Sequence, residues 1–444
     1  MNKQLLSRRA LQAISKSESH TVHSSLGPPA SCRHVQTCVA YRQDAGGPRK
    51  LTIDALNILR PSLESQILSC VTILFFMLIL FCAGTRGHAG ERAAATSSSL
   101  AISELRCEYM IDPMGSDNPH PRFFWKLQSG ERGQRQSAFQ ILVDPSRTSL
   151  EQGRSDCWDS GKVRGDSSVF VPYAGRKLLS GNQYWWKVKV WDAQGVPSMW
   201  SASAHFDTGI FSAKEWHGEW IASDLDLKDY QKELRALPDF GMQPESEIWK
   251  EATRIHELTK NVPEAPAVYM RREFKAKRTV RRAMAYVSGL GMYELYINGQ
   301  KSGDQYLNPA YSDYDKTVYY LAHDVTNQIK AGDNALGVIL GNGWYNLITP
   351  HALRFYAADY IAPPCLRLRL DIEYEDGTRD RIVSDKSWQF TTDGPIRFNC
   401  VLGGETHDAR KNMPGWDMPN YDASHWKSVR TAKGPKGKLT ALCC

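Results

Sequence analysis

The chain has 444 residues, 23% of them charged and 42% hydrophobic, a globular balance that at roughly 100–200 residues per domain predicts two to four domains. Wholesale disorder, a collagen repeat and a polytopic membrane protein are excluded. The formal charge of +7 is concentrated in residues 1–66, where nine Lys and Arg face four Asp and Glu, so the remaining 378 residues carry only +2 and lack the basic excess that a nucleic-acid-binding face needs.

Residues 1–66 are polar and show no apolar periodicity. Residues 67–84, ILSCVTILFFMLILFCAG, hold no charge, a length at the short end of a bilayer span and the long end of a signal-peptide core. Small residues such as Ala93 and Ala95 follow, of the kind beside which an export peptidase cuts. Two readings stand: a signal peptide behind a mistaken upstream extension of the gene, or an uncleaved anchor. Both put the folded part outside the cytoplasm (periplasmic, cell-surface or extracellular) and confine membrane contact to 67–84. Bulky Phe81 argues against a lipoprotein signal at Cys82. Residues 85–100 read as a linker.

From 101 to 209 short strand-like runs alternate with turn signals, the spacing of an antiparallel sandwich of the fibronectin III or immunoglobulin type. The run AFQILV, 138–143, is one strand, closed by Asp144-Pro145. In YWWKVKVWD, alternation places Tyr184, Trp186, Val188 and Val190 on a core face and Trp185, Lys187, Lys189 and Trp191 on the other. The run ends in the turn 192–195, and SMWSASAHFDTG supplies the next strand. Residues 210–267 form a connector in which Ile248, Ala252 and Ile255 recur at helical spacing, ended by Asn261-Val262-Pro263.

A second all-β region spans 268–430. Strands are expected at 283–287 and 293–297, the latter followed by Asn298-Gly299, a strong hairpin signal because both turn positions favour positive φ. In CLRLRLDIEYEDGT, Leu366, Leu368, Leu370 and Ile372 alternate with Arg367, Arg369, Asp371 and Glu373, and Asp376-Gly377 closes another hairpin. The fold expected is all-β, with tandem β-sandwiches, the second a jelly roll, and a short helical insertion. Residues 431–444 are expected to be a truncated tail. Of ten cysteines, Cys32, Cys38, Cys70, Cys82, Cys443 and Cys444 lie outside the folded part. Cys107, Cys157, Cys365 and Cys400 form no C-x-x-C pair, so zinc is unsupported and buried free thiols are preferred to one or two bridges.

The stretch RRAMAYVSGLGMYELYINGQKSGDQYLNPAYSDYDKTVYYLAHDVT, then GDNALGVILGNGWY and GGETHDARKNMPGWD, resembles the N-terminal β-sandwich region of the bacterial α-L-rhamnosidases. WDSGKV, YWWKVKVWDAQG and MWSASAHFDTG resemble the fibronectin-like domain that opens many of those enzymes. The match runs over roughly 101–439. The resemblance implies an exported glycoside hydrolase releasing terminal L-rhamnose by inversion, acting on rhamnose-containing glycans. It also implies that the catalytic carboxylates sit in a C-terminal α/α-barrel that these residues do not include. No catalytic residue is therefore carried over, and the barrel is the expected partner.

Inversion needs an acid and a base carboxylate about 6.5–9.5 Å apart. The local candidates, Glu405 and Asp408 in GGETHDAR, are spaced to engage Arg410 rather than to straddle a sugar, with contact to the expected barrel as the second reading. GNGWY offers Asn342, Trp344 and Tyr345, an amide beside aromatic faces, which suits a sugar ring, although a strand-end Trp packing over the sandwich edge is the plainer explanation. Asn298, Asp304, Asn308, Asp313 and Asp315 lie on loops. Some rhamnose-binding sandwiches of such enzymes are similar in using Ca²⁺, while turn formation is the default role for these residues. No nucleophile elbow, phosphate loop or metalloprotease helix is present. A stand-alone carbohydrate-binding surface protein and a purely structural tandem sandwich are the competing functions.

Overall fold

The computed structural model describes residues 97–237, 260, 264–349 and 355–442. The leader, the apolar run 67–84 and the helix expected around Ile248, Ala252 and Ile255 lie outside the described residues. Among the described residues no helix is long and apolar enough to cross a membrane.

The first sandwich is built from β1 (Ala101–Cys107), β2 (Arg122–Gln128), β3 (Ala138–Asp144), β4 (Trp158–Asp159), β5 (Val163–Arg164), β6 (Val171–Pro172), β7 (Gln183–Trp191) and β8 (Ala204–Asp207). β1, β2 and β6 make one sheet, while β4, β3, β7 and β8 make the other, with β5 beside β3. A short helix, α1 (Arg147–Glu151), follows β3 and is capped by the Ser146 hydroxyl, which accepts from the Ser149 N–H. The period of two holds in β7. Tyr184, Trp186, Val188 and Val190 are buried against Phe139, Ile141 and Val143, with Val188 opposite Ile141. The other face is roofed rather than open. Trp200 lies across it, with the Lys187 and Lys189 ammonium groups 5.0 and 4.6 Å from its ring centroid, so Lys187 is only 5% exposed. The turn at 192–195 forms because the Asp192 carboxylate accepts from the N–H groups of Gln194 and Val196 while Gly195 takes φ 80°.

The second sandwich contains β9 (Ile221–Ala222), then after α2 (Lys228–Arg235) the strands β10 (Val268–Ala276), β11 (Val280–Leu290), β12 (Met292–Ile297), β13 (Gln300–Lys301), β14 (Thr317–Asp324) and β15 (Gly332–Gly341). It continues with β16 (Cys365–Tyr374), β17 (Arg379–Val383), β18 (Gln389–Thr391), the hairpin β19 (Ile396–Cys400) and β20 (Gly404–His407), β21 (Lys427–Ser428), β22 (Arg430–Thr431) and β23 (Lys438–Ala441). One sheet has the order β13-β12-β15-β10-β18-β21. The other runs β22-β9-β16-β11-β14-β23, with β17 also on β16. Leu366, Leu368, Leu370 and Ile372 are buried with Val287, Leu295, Val338 and Phe390 in the core these sheets share. Asn298 and Gly299 take φ 51° and 82°, as the two-residue turn between β12 and β13 requires. The second sheet reaches beyond 268–430 on both sides. β9 pairs with β16, and β23, in the segment expected to be a truncated tail, runs parallel to β14.

The first sandwich docks on the outer face of this second sheet. Ile210 and Trp216 bury Met284, Tyr286 and Tyr320, and the Tyr320 hydroxyl accepts from the Ile210 N–H at 2.9 Å. Arg282 donates to Asp207 at 2.5 Å and to the Gly181 carbonyl at 3.0 Å. The approach is close enough that a Cβ on Gly209 would lie 2.3 Å from the Tyr320 hydroxyl. Arg369, outward-facing by alternation, is consequently 4% exposed and donates to the Glu215 carbonyl.

Candidate functional site

The β19–β20 hairpin, the end of β15 and the loop after β13 enclose a groove of about 480 Å³. Met292, Tyr293 and Ile339 supply apolar wall, Tyr306 and Leu307 come from the loop, and Glu405 comes from β20. Tyr306 and Leu307 are 74% and 73% exposed, an apolar surface of the kind that marks interaction sites when contiguous. The Lys301 ammonium sits 3.7 Å from the Tyr306 ring centroid and also pairs with Glu294 at 2.6 Å, which orients the ring. The Tyr293 hydroxyl meets His323 Nε2 at 2.8 Å. Burial pushes the His323 imidazole down to about 4, so the ring is neutral near pH 7.

Two carboxylates line the groove. Glu294 is engaged by Lys301 and by the Tyr296 hydroxyl, 2.6 Å away. Glu405 is exposed, and its carboxylate, on a strand paired to β19, makes no hydrogen bond or ion pair among the described residues. An aromatic face beside one unengaged carboxylate suits a sugar ring, whose C–H patches cover the tyrosine while a hydroxyl donates to the acid. It does not supply the two independently acting acids of inverting hydrolysis.

Of the three aromatic and amide residues expected to hold sugar, the fold turns two inward. Asn342 is fully buried. Its N–H donates to Asn399 Oδ1 at 2.6 Å, its side-chain amide donates to the carbonyls of Ala265 and Asn399, both at 2.9 Å, and its Oδ1 accepts from Asn346 at 2.6 Å. Asn346 in turn accepts from Gln231 at 3.0 Å. Tyr345 is 3% exposed, stacks edge-on to Tyr314 with centroids 5.2 Å apart, and burial drives its phenol far above the ordinary range. Trp344 alone keeps surface. It is half-buried and packs 5.8 Å from both Tyr311 and Phe355, in an aromatic cluster behind Cys400. Gly343 of GNGWY is needed because its backbone crosses that of Gly291 here, 2.8 Å from where a Cβ would lie. Gly343 takes φ 51°, and a Cβ on the facing Gly291 would fall 1.9 Å from the Asn342 carbonyl oxygen.

The trio Glu405, Asp408 and Arg410 separates. Asp408 binds Arg410 with both oxygens, at 2.8 and 2.7 Å, and the guanidinium hydrogen bonds hold its carboxyl down to about 2. Glu405 does not join them; it faces the groove. The loop acids are likewise dispersed. Asp313 pairs with Lys316 at 2.8 Å, Asn308 donates to Gln305, and Asn298 is held by Gln328, Asn334 and Ala335. Among the described residues no three Asp, Glu, His or Cys side chains converge as a metal-ligand set, so Asp304, Asp313 and Asp315 do not form a calcium cradle together. Cys107 is buried, Cys365 and Cys400 are buried free thiols and Cys157 is a half-buried one; burial pushes the Cys365 thiol up to about 12. Sequence reasoning missed Tyr306, Leu307 and Glu294. The signal available was a bulky pair, Tyr306-Leu307, flanked by the polar run Gly303-Asp304-Gln305 and by Asn308.

Comparison with known proteins places both sandwiches. Residues 102–212 match the family described as Rha78A-like, N-terminal immunoglobulin domain, and residues 278–444 match the Alpha-L-rhamnosidase N-terminal domain. An alpha-L-rhamnosidase of Formosa agariphila is 34% identical over 362 residues, which is 80% of this chain and 36% of that protein. The solved structure of alpha-L-rhamnosidase from Dictyoglumus thermophilum superposes with a TM-score of 0.65 at 33% identity, over 78% of this chain and 36% of that one. The Streptomyces avermitilis alpha-L-rhamnosidase complexed with L-rhamnose gives 0.63 at 26% identity, over 76% and 45%. The chain thus spans between a third and a half of the length of these relatives. With the immunoglobulin-like and β-sandwich modules matched in order, it belongs to the α-L-rhamnosidase family, whose N-terminal domains it carries.

Proposed function

We propose that these residues are the non-catalytic N-terminal part of an exported α-L-rhamnosidase, a glycoside hydrolase releasing terminal L-rhamnose from rhamnose-containing glycans by inversion. The observation that carries this is the ordered pair of N-terminal domain matches in a chain spanning 36% of a relative that bears the enzyme's name. Export rests on the uncharged run 67–84, and the reacting carboxylates belong to a C-terminal catalytic domain of the kind the longer relatives have room for. The purified chain should release nothing above buffer from a chromogenic α-L-rhamnoside. Turnover that disappeared in Glu405→Gln would move the catalytic centre into the sandwich and overturn the reading.

The groove with Tyr306 and Glu405 favours a second reading, a sandwich that itself binds rhamnose-containing glycans as a stand-alone cell-surface protein. The reading frame downstream of codon 444 separates the two: a frame continuing into a helical barrel supports the enzyme.

A further inference from the structure

A second cavity, of about 310 Å³, opens where the first sandwich meets the outer face of the β16 sheet. One wall is the turn 180–182 of the first sandwich, and the other is the charged face of β16 and β17. Register creates that face. Asp371 lies opposite Arg381 and Glu373 opposite Arg379, alternating with the buried Leu370 and Ile372.

The carboxylates of this cavity are already satisfied. Asp371 accepts from Arg369 Nε at 2.9 Å and from Arg381 Nε at 2.6 Å. Glu373 is taken by Arg281, and Asp380 by Lys277 at 2.8 Å and the Tyr374 hydroxyl at 2.7 Å. Arg281 and Lys277 stand outside the cavity, so two of its three carboxylates are neutralised from elsewhere while four arginines line it. Arg282 is spent on Asp207. What remains unengaged is a set of donors. The two Nη groups of Arg381 make no hydrogen bond among the described residues, Arg379 makes one long contact to Glu373 at 3.4 Å, and the side-chain amide of Asn182 has no partner there.

Two guanidinium forks with free N–H groups, backed by a surplus of positive charge, match the paired oxygens of a carboxylate or sulfate. We propose that this interdomain cavity binds the anionic group of an acidic saccharide, with Arg381 and Arg379 gripping its carboxylate or sulfate ester and Asn182 donating from the first sandwich. Rhamnose is neutral, so the anion site stands independently of the groove, while the choice of a saccharide as the carrier of the anion rests on the proposed function.

Calorimetric titration of the full chain at low salt with D-glucuronate, glucose 6-sulfate, inorganic sulfate and neutral D-glucose tests it. An acidic sugar should bind at least about tenfold more tightly than glucose, more tightly than inorganic sulfate, and more weakly as salt is raised. The preference between glucuronate and the sulfate ester identifies which anionic group the site takes. Arg379→Gln and Asn182→Ala, which leave Asp371 and its partners untouched, should each weaken binding severalfold with an unchanged melting temperature, and Arg381→Gln should weaken it most. No preference over glucose, inorganic sulfate binding as tightly as the acidic sugars, or unaltered affinity in Arg379→Gln and Arg381→Gln would each overturn the assignment.

Discussion

Asn342 and Tyr306 show how differently two polar-capable residues near one groove are used. Asn342 ties the end of β15 to Ala265, Asn346 and Asn399 through one side chain and one N–H. Removing it leaves buried carbonyls without donors, at about 1–3 kcal/mol per orphaned group. Tyr306 projects into solvent at 74% exposure, with the Lys301 ammonium against its ring. Asn342→Ala should therefore lower stability by roughly 2–4 kcal/mol in urea titration. Tyr306→Ala should change stability by no more than about 0.5 kcal/mol yet remove most of a weak affinity for L-rhamnose, because one desolvated aromatic is worth about 1–3 kcal/mol in a binding site. Trp344→Ala should fall between them, since its ring is shared between the aromatic cluster and the surface. Rhamnose affinity retained in Tyr306→Ala would remove the groove as a sugar site.

At the scale of elements, the strut between β12 and β14 joins the two sheets through the Tyr293 hydroxyl and His323. The unfolded imidazole titrates near 6.5, whereas burial lowers the folded value to about 4. Between those values the unfolded chain carries the extra proton, so stability is complete above about pH 6.5, falls as the pH drops toward 4, and loses nothing more from this group below that. The integrated effect is roughly 3 kcal/mol. His323→Gln should flatten the urea midpoint between pH 6.5 and 4.5 relative to the parent. Equal slopes in the two proteins would show that the strut does not titrate in this way. The strand pairs flanking it follow from short-range rules. The Asn298-Gly299 turn fixes the β12–β13 register, and the alternation in β16 fixes which side faces the core.

At the scale of the whole molecule, the two sandwiches share a buried apolar cluster and a buried ion pair. Asp207 is 3% exposed, so Arg282→Met leaves an uncompensated carboxylate, a change expected to cost about 3–5 kcal/mol. Gly209→Val adds a side chain where a Cβ alone would lie 2.3 Å from the Tyr320 hydroxyl and from the Gly115 carbonyl oxygen. Residues 97–442 should melt in one calorimetric transition in the parent and in two in Gly209→Val, as the wedge uncouples the domains. A single, undisplaced transition in that variant would contradict the rigid docking.

Strand faces, hairpin turns and the tandem all-β architecture were legible in the sequence because they depend on local sterics. Side chains alternate across any extended chain, and Asn-Gly tolerates positive φ wherever it occurs. The core sets of β7 and β16 and the turn at Asn298 follow from these rules alone. What faces the other side of each strand is a matter of which distant segment arrives there. Lys187 is covered because Trp200 folds back over it, and Arg369 is buried because the turn 180–182 of the first sandwich and Glu215 just after that sandwich land on its sheet. The site followed the same division. The motif GNGWY was visible, but its amide lies inward because residues 265 and 399 converge on it, and Glu405 parts from Asp408 because the β19–β20 pairing carries it to the groove. Periodicity is encoded residue by residue; the partner of an outer face is chosen by long-range packing, which depends on the shape and charge of surfaces that exist only once each sandwich has folded.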